Sequence, residues 1–218
     1  MKFILASSSK NRQALLERMG IAFEAIAPDY EEQIQEDLST IEMVETFSLG
    51  KAKSVYHQMI KSPAPNKDHK NHALESDLFV LGCDSMISIE GRSIGKAYSE
   101  AEAIEQLLFF RGKRQEVITG LALVGHYQGQ YFEVVEHEVS PLDFRADVDE
   151  ALIRKYLKFG DWQGKCGSYS ILGTGVFFLD GILGDFQNIV GLPILRMGRM
   201  MEKVTGKHPL ELLESKSV

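Results

Sequence analysis

The stretch Phe3-Ile4-Leu5-Ala6-Ser7-Ser8-Ser9-Lys10-Asn11-Arg12 reads as a buried strand that ends in a hydroxyl-rich turn and leads straight into a helix. Its apolar run has the pattern of a strand covered on both faces, and Leu15, Leu16 and Met19 continue with helical spacing. A strand passing at once into a helix is the start of an α/β fold. Unpaired backbone N–H groups and the positive end of the helix dipole gather at such a junction, which suits an anion such as phosphate. Ser is equally favoured there as an ordinary N-cap, so this stretch alone leaves both readings open.

Working outward, Gly20 closes the first helix and Ile21 to Ile26 alternates as a second strand. Asp29-Tyr30-Glu31-Glu32 is either a solvated acidic loop or a source of oxygen ligands for a divalent cation. Ser39-Thr40-Ile41-Glu42 is a capping box for a helix to about Ile60, carrying Lys51. Residues 61–76 are polar and read as a surface loop; His69 and His72 within it have a spacing that could hold metal, against the simpler reading of loop side chains. Leu78-Phe79-Val80-Leu81 is a buried-strand run that stops at Gly82-Cys83-Asp84-Ser85, which puts Asp84 at a strand tip, where open α/β sheets hold their ligands. A hairpin from Met86 to Lys96 brings Lys96 back toward that acid. Ser99 to Phe110 and Asp149 to Lys158 are helices; Gln115 to Val124 and Tyr131 to Phe144 are strands. Trp162 to Gly175, with Lys165 among its glycines, is a loop that faces a ligand. Val176 to Leu179 reads as a strand, and Gly191-Leu192-Pro193 opens the last helix.

The 218 residues are 44% apolar and 25% charged, the balance of a soluble globular protein with length for a real core. A net charge of −7 without a basic run excludes a nucleic-acid polymer as partner but not a small anion met by local cations. Cys83 and Cys166 form no disulfide framework, and no stretch approaches the roughly 20 apolar residues of a membrane span. With no leader-like N-terminus, the expectation is a cytoplasmic protein without a membrane partner.

Leu5-Ala6-Ser7-x-Ser9-x-x-Arg12, Pro28-Asp29-x-Glu31-Glu32, Lys51-Ala52, Gly82-x-Asp84, Gly95-Lys96, Val117-x-Thr119-Gly120, Phe144-Arg145, Lys165-x-Gly167-x-Tyr169, Gly184-Asp185 and Val190-Gly191-Leu192-Pro193 follow one another in an order that resembles the Maf family of septum-formation-inhibitor-like proteins. The resemblance runs from Leu5 to Pro193. It implies an elongated mixed β-sheet with flanking helices and two lobes around a cleft, as in the inosine triphosphatases. The domain would be 1–205, followed by a C-terminal tail at 206–218, in a homodimer. It also implies a nucleoside triphosphate pyrophosphatase that uses Mg²⁺ or Mn²⁺ to release NMP and pyrophosphate, on pyrimidine or modified nucleotides. The alternative is a catalytically silent, nucleotide-binding regulator of cell division.

By the same resemblance Asp84 is metal ligand and base, Glu32 a second metal-side carboxylate, and Lys96 part of the catalytic set. Arg12, Lys51 and Lys96, with Ser7 and Ser9, would hold phosphates, and Lys165 would close over base or sugar. Asn11, Ser85 and Leu172 fall at selectivity positions. The dTTP/UTP branch of the family has Arg, Thr and Gln there, and the 7-methyl-GTP branch has Trp, Gln and Glu, so this chain matches neither set. Leu172 cannot hydrogen-bond a base edge, so the expectation is that the preference the dTTP/UTP pattern would give is lost or relaxed.

Overall fold

The computed structural model describes residues 1–35, 37–61 and 77–214. The elements follow in chain order as β1 (Lys2–Ala6), α1 (Lys10–Arg18), β2 (Glu24–Ile26), α2 (Thr40–Lys61), β3 (Leu78–Ile89), β4 (Arg92–Ile94), α3 (Glu100–Phe110), β5 (Arg114–Tyr127), β6 (Gln130–Phe144), α4 (Glu150–Leu157), β7 (Leu179–Ile182), α5 (Phe186–Val190), α6 (Ile194–Thr205) and α7 (Pro209–Leu212). Local chemistry sets the helix starts. The Ser39 N–H donates to Glu42 Oε2 (2.8 Å) and the Glu42 N–H to Ser39 Oγ (3.3 Å), closing the box that begins α2. Ser99 and Asp149 accept from Glu102 N–H (3.2 Å) and Leu152 N–H (2.8 Å) to start α3 and α4. The polar segment with His69 and His72 lies outside the described residues. No helix among the described residues is long and apolar enough to cross a membrane.

The strands make one mixed, seven-stranded sheet in the order β2-β1-β3-β5-β6-β7, with β4 also on β3. β1 is parallel to β2 and β3, and the other pairings are antiparallel. The two edges of β3 differ. On one, β5 pairs with it continuously from Leu78↔His126 to Ser88↔Glu116. On the other, β1 pairs Leu78 to Gly82 and β4 pairs Ile87 to Ile89, so among the described residues no strand lies beside Cys83 to Met86 there.

Two expectations need correction. Asp84 is not at a strand tip but inside β3, because β5 holds Gly82 to Ser85 extended opposite Ala122 to Thr119. Residues Thr174–Phe178 form a 3-10 turn, and the strand begins only at Leu179. The Asp161 carboxylate accepts from the Thr174 N–H and hydroxyl (3.1 and 3.3 Å), and Phe178 packs on the rings of Phe144 and Tyr156 (centroids 5.6 and 4.9 Å apart).

The core divides along β3 at Asp84. Before it, Phe79, Leu81 and Cys83 pack toward Leu16 of α1 and Met197 and Met200 of α6, while Leu78 and Val80 pack toward Ala52 and Val55 of α2. Beyond it, Ile87 and Ile89 join Leu107, Phe110 and Phe144 in a separate apolar group. Helix α2 crosses β3 and β5 at backbone distance: a Cβ at Gly82 would run into the Ser48 carbonyl oxygen, and one at Gly120 into that of Val44. Gly82→Ala should therefore lower stability by about 1–3 kcal/mol through overpacking. Gly181→Ala, where a Cβ meets open space, should stay within about 0.5 kcal/mol of wild type. Urea midpoints for the two variants check this.

Candidate functional site

Two neighbouring residues of β3 organise the site. Side chains alternate across a strand, so Asp84 is directed toward α2 and Ser85 toward α1 and α5. Both lie in the stretch that lacks a strand on one edge.

On the α2 side, Lys51 Nζ lies 2.5 Å from Asp84 Oδ1 and 2.6 Å from Glu32 Oε1. Asp84 and Lys51 are both buried, whereas Glu32 is exposed. The absence of a side chain at Gly50 lets the Tyr30 ring lie on α2, and the Ser54 hydroxyl donates to the Asp29 carbonyl (2.9 Å). Those contacts fix the acidic loop on the helix and bring Glu32 to Lys51. Burial pushes the Asp84 carboxyl above the ordinary carboxylate range, and the Lys51 ammonium works against that rise. Burial also pushes the neighbouring Cys83 thiol up to about 11, leaving it an unreactive core group.

On the opposite face, the Arg12 guanidinium is fixed at three points. Nε donates to the Gly191 carbonyl (2.8 Å), Nη2 to Ser85 Oγ (2.9 Å) and Nη1 to Ser7 Oγ (3.4 Å). Ser7 Oγ also accepts the Ser9 N–H (3.2 Å). Ser9 is the N-cap of α1 but makes no side-chain capping bond, so its hydroxyl is not spent on the helix.

A cleft of about 850 Å³ opens where the sheet edge is split. It is lined by every side chain that the family resemblance placed at the site: Ser7, Ser9, Asn11, Arg12, Glu32, Lys51, Asp84, Ser85, Lys96, Lys165 and Leu172. Lys96 arrives on the chain leaving β4, and the Gly167 N–H donates to the Gly95 carbonyl (3.1 Å), so the glycine loop that carries Lys165 is tied to it. Among the described residues, five cations (Lys10, Arg12, Lys51, Lys96, Lys165) face two carboxylates, a local excess of positive charge in an acidic chain. Sequence reasoning gave Lys51 to the phosphates; in the structure its ammonium pairs with the two acids. It gave no role to Thr119 or Gly191, which stood in the motif series but acquire one only through sheet register.

Asp84 and Glu32 direct two carboxylates at one ammonium, a convergence of hard oxygen donors that suits Mg²⁺ or Mn²⁺ once phosphate oxygens and water complete the shell. Among the described residues no group of three or more His, Cys, Asp or Glu side chains could hold a metal alone. The residues present fit a cation shared with a ligand.

A family model described as Maf-like protein matches residues 2–204. A dTTP/UTP pyrophosphatase of Ruminiclostridium cellulolyticum is 35% identical over 205 residues, covering 94% of this chain and 96% of that protein. Proteins of the same name from Bacillus thuringiensis subsp. konkukian and Clostridium acetobutylicum are 36% and 32% identical. They cover 93% and 92% of this chain, and 95% and 96% of their own lengths.

The raised Asp84 carboxyl has a consequence for stability. A folded-state value above the unfolded one means that the folded chain holds the proton more tightly. The stability this confers at low pH is lost as pH rises from the unfolded value through the folded one. Wild-type stability should therefore fall as pH rises above the ordinary carboxylate value, a slope that Asp84→Asn should lack. The difference in slope should vanish as pH falls below the ordinary carboxylate value of 3.8. Thermal midpoints of both proteins at several pH values decide it.

Proposed function

The chain belongs to the Maf-like protein family, and from that membership and the chemistry of the cleft we propose that it hydrolyses a pyrimidine nucleoside triphosphate, dTTP or UTP, to the monophosphate and pyrophosphate. The observation that carries the reading is a buried carboxylate, Asp84, in a cleft whose cations come from four separate segments of the chain. The relatives named dTTP/UTP pyrophosphatase support it over nearly their whole lengths.

Attack of water on the α-phosphorus requires alignment and charge neutralisation more than covalent help. Asp84 is the base that takes the proton of the attacking water: burial strengthens its hold on a proton, and the Lys51 ammonium opposes that rise. Arg12 presents a fixed planar fork to the triphosphate, and Lys10, Lys96 and Lys165 add point charges around it. Mg²⁺ or Mn²⁺ held by Asp84 and Glu32 would neutralise the triphosphate and the departing pyrophosphate. Leu172, exposed at the cleft, offers the base an apolar contact and no hydrogen bond. Choice among pyrimidine and modified bases is accordingly looser than a hydrogen-bonding residue there would give. A silent regulator would have no use for an acid kept buried at this cost. The same reading, on the family resemblance, makes the protein a cytoplasmic homodimer.

With Mg²⁺ or Mn²⁺, purified protein should release pyrophosphate, not orthophosphate, as first product from dTTP and UTP. EDTA should stop it, and Asp84→Asn should lower kcat by about 10²–10⁴-fold, the range for a lost general base. Turnover by Asp84→Asn at the wild-type rate would sink the assignment, and absence of turnover of any nucleotide by folded wild type would favour the regulator. Sedimentation velocity should give twice the chain mass of 24.5 kDa.

A further inference from the structure

Ser85 stands at a position where the family resemblance puts base selectivity, yet its hydroxyl is already engaged. It accepts from Arg12 Nη2 at 2.9 Å and lies 2.9 Å from Thr119 Oγ1, its direct cross-strand partner on β5. Thr119 is fully buried, and its hydroxyl donates to the Asn188 carbonyl at 3.3 Å. The two ends of this chain fix the direction of every proton in it. A guanidinium N–H can only donate and a carbonyl can only accept. Thr119 therefore gives its proton to Asn188 and takes one from Ser85, while Ser85 takes one from Arg12. With its only proton committed, Ser85 cannot donate to a carbonyl on a nucleobase.

The far end is rigid. Asn188 is fully buried in α5, and its Nδ2 donates to the Val117 carbonyl (3.0 Å) and to Ser140 Oγ (2.9 Å). Ser140 Oγ also donates to the Asp185 carbonyl (3.1 Å), so α5 is held to both β5 and β6. The same helix ends at Gly191, whose φ of +112° turns its carbonyl to Arg12 Nε. Two anchors on one guanidinium thus return to one short helix, directly through Gly191 and indirectly through Ser85 and Thr119. Three of the five N–H groups of Arg12 are committed to protein acceptors. One N–H on each terminal nitrogen remains, enough for a bidentate contact with phosphate.

We infer that Ser85 and Thr119 are positioning residues that orient Arg12 for the triphosphate and do not read the base. The inference rests on the reading of the cleft as a triphosphate site, and its test separates the two. Thr119→Val keeps the shape of the side chain and removes the hydroxyl; Thr119→Ser keeps the hydroxyl; Ser85→Ala cuts the chain one link earlier.

In ¹⁵N-labelled protein the Arg12 Nε–H resonance, assigned by its loss in Arg12→Lys, should exchange slowly with water. Exchange should be about fivefold faster or more in Thr119→Val and Ser85→Ala, the effect of one lost hydrogen bond, and near wild type in Thr119→Ser. Calorimetric affinity for inorganic tripolyphosphate, which carries no base, should fall about five- to tenfold in the same two variants. Adding Arg12→Lys to Thr119→Val should weaken it no further than Arg12→Lys alone. Losses in kcat/KM should be equal for UTP, dTTP and CTP. Wild-type exchange in Thr119→Val, equal behaviour of Thr119→Val and Thr119→Ser, or a loss confined to one base would each overturn the inference. If wild type neither binds tripolyphosphate nor releases pyrophosphate, the triphosphate reading falls, while Nε–H exchange still decides whether the hydroxyl chain holds Arg12.

Discussion

The cleft depends on one asymmetry: β3 is bonded along its length to β5, while its other edge is shared by two strands that do not meet. β1 stops opposite Gly82 and β4 ends opposite Ile87. A strand missing both neighbours over those residues would fray, and a strand covered on both edges would leave no opening. Continuous pairing to β5 keeps Asp84 and Ser85 in fixed register. The missing neighbour lets ligand approach them from the side. The hydroxyl turn after β1 and the Lys96 segment after β4 both end at this gap, so the two banks of the cleft are the ends of the two partial neighbours.

Charge is then distributed against the sign of the whole molecule. The chain carries −7, but interactions between exposed charges fade over about 8 Å at physiological ionic strength. A triphosphate in the cleft is governed by the cations around it and not by the remote acidic surface of β6, where Glu136 and Glu138 are in any case paired with Arg196 (3.4 and 2.9 Å). Lys51 differs from the other cleft cations because it is buried and already neutralises Asp84 and Glu32. Its position follows from Gly82 and Gly120, which allow α2 to approach the sheet at backbone distance. A bulkier residue at either would raise the helix and part the ammonium from the acid.

Much of the fold was legible in the sequence because its boundaries are written in local chemistry. Ser39 with Glu42, Ser99 and Asp149 begin their helices as their side chains require, and no distant contact is needed to see it. Asp84 was misplaced at a strand tip for a physical reason. Gly-Cys-Asp-Ser has the composition of a turn, and only the ladder to Ala122–Thr119 makes it extended. The strand expected at Val176 gave way to a 3-10 turn because Asp161, far back in the loop, caps it. At the site, residue types were readable and arrangement was not. The burial of Lys51 depends on glycines on two other strands. The role of Thr119 depends on cross-strand register, which periodicity alone does not give.

That register also explains how one short strand segment serves two chemical tasks. Asp84 and Ser85 are consecutive, so the pleat sends them to opposite faces. One face receives α2 with its ammonium and the acidic loop; the other receives α1 and the end of α5 with the guanidinium. Acid and arginine are thereby kept from pairing with each other, although both border one cleft. Were Arg12 on the acid's face, its fork would satisfy the carboxylate and leave neither group free for a ligand. A slip of one residue in the pairing of β3 with β5 would produce that exchange, turning Asp84 toward Arg12 and Ser85 toward Lys51. The long, unbroken ladder to β5 is therefore what keeps proton-accepting and anion-holding groups apart, and the split on the opposite edge is what lets a single ligand touch both.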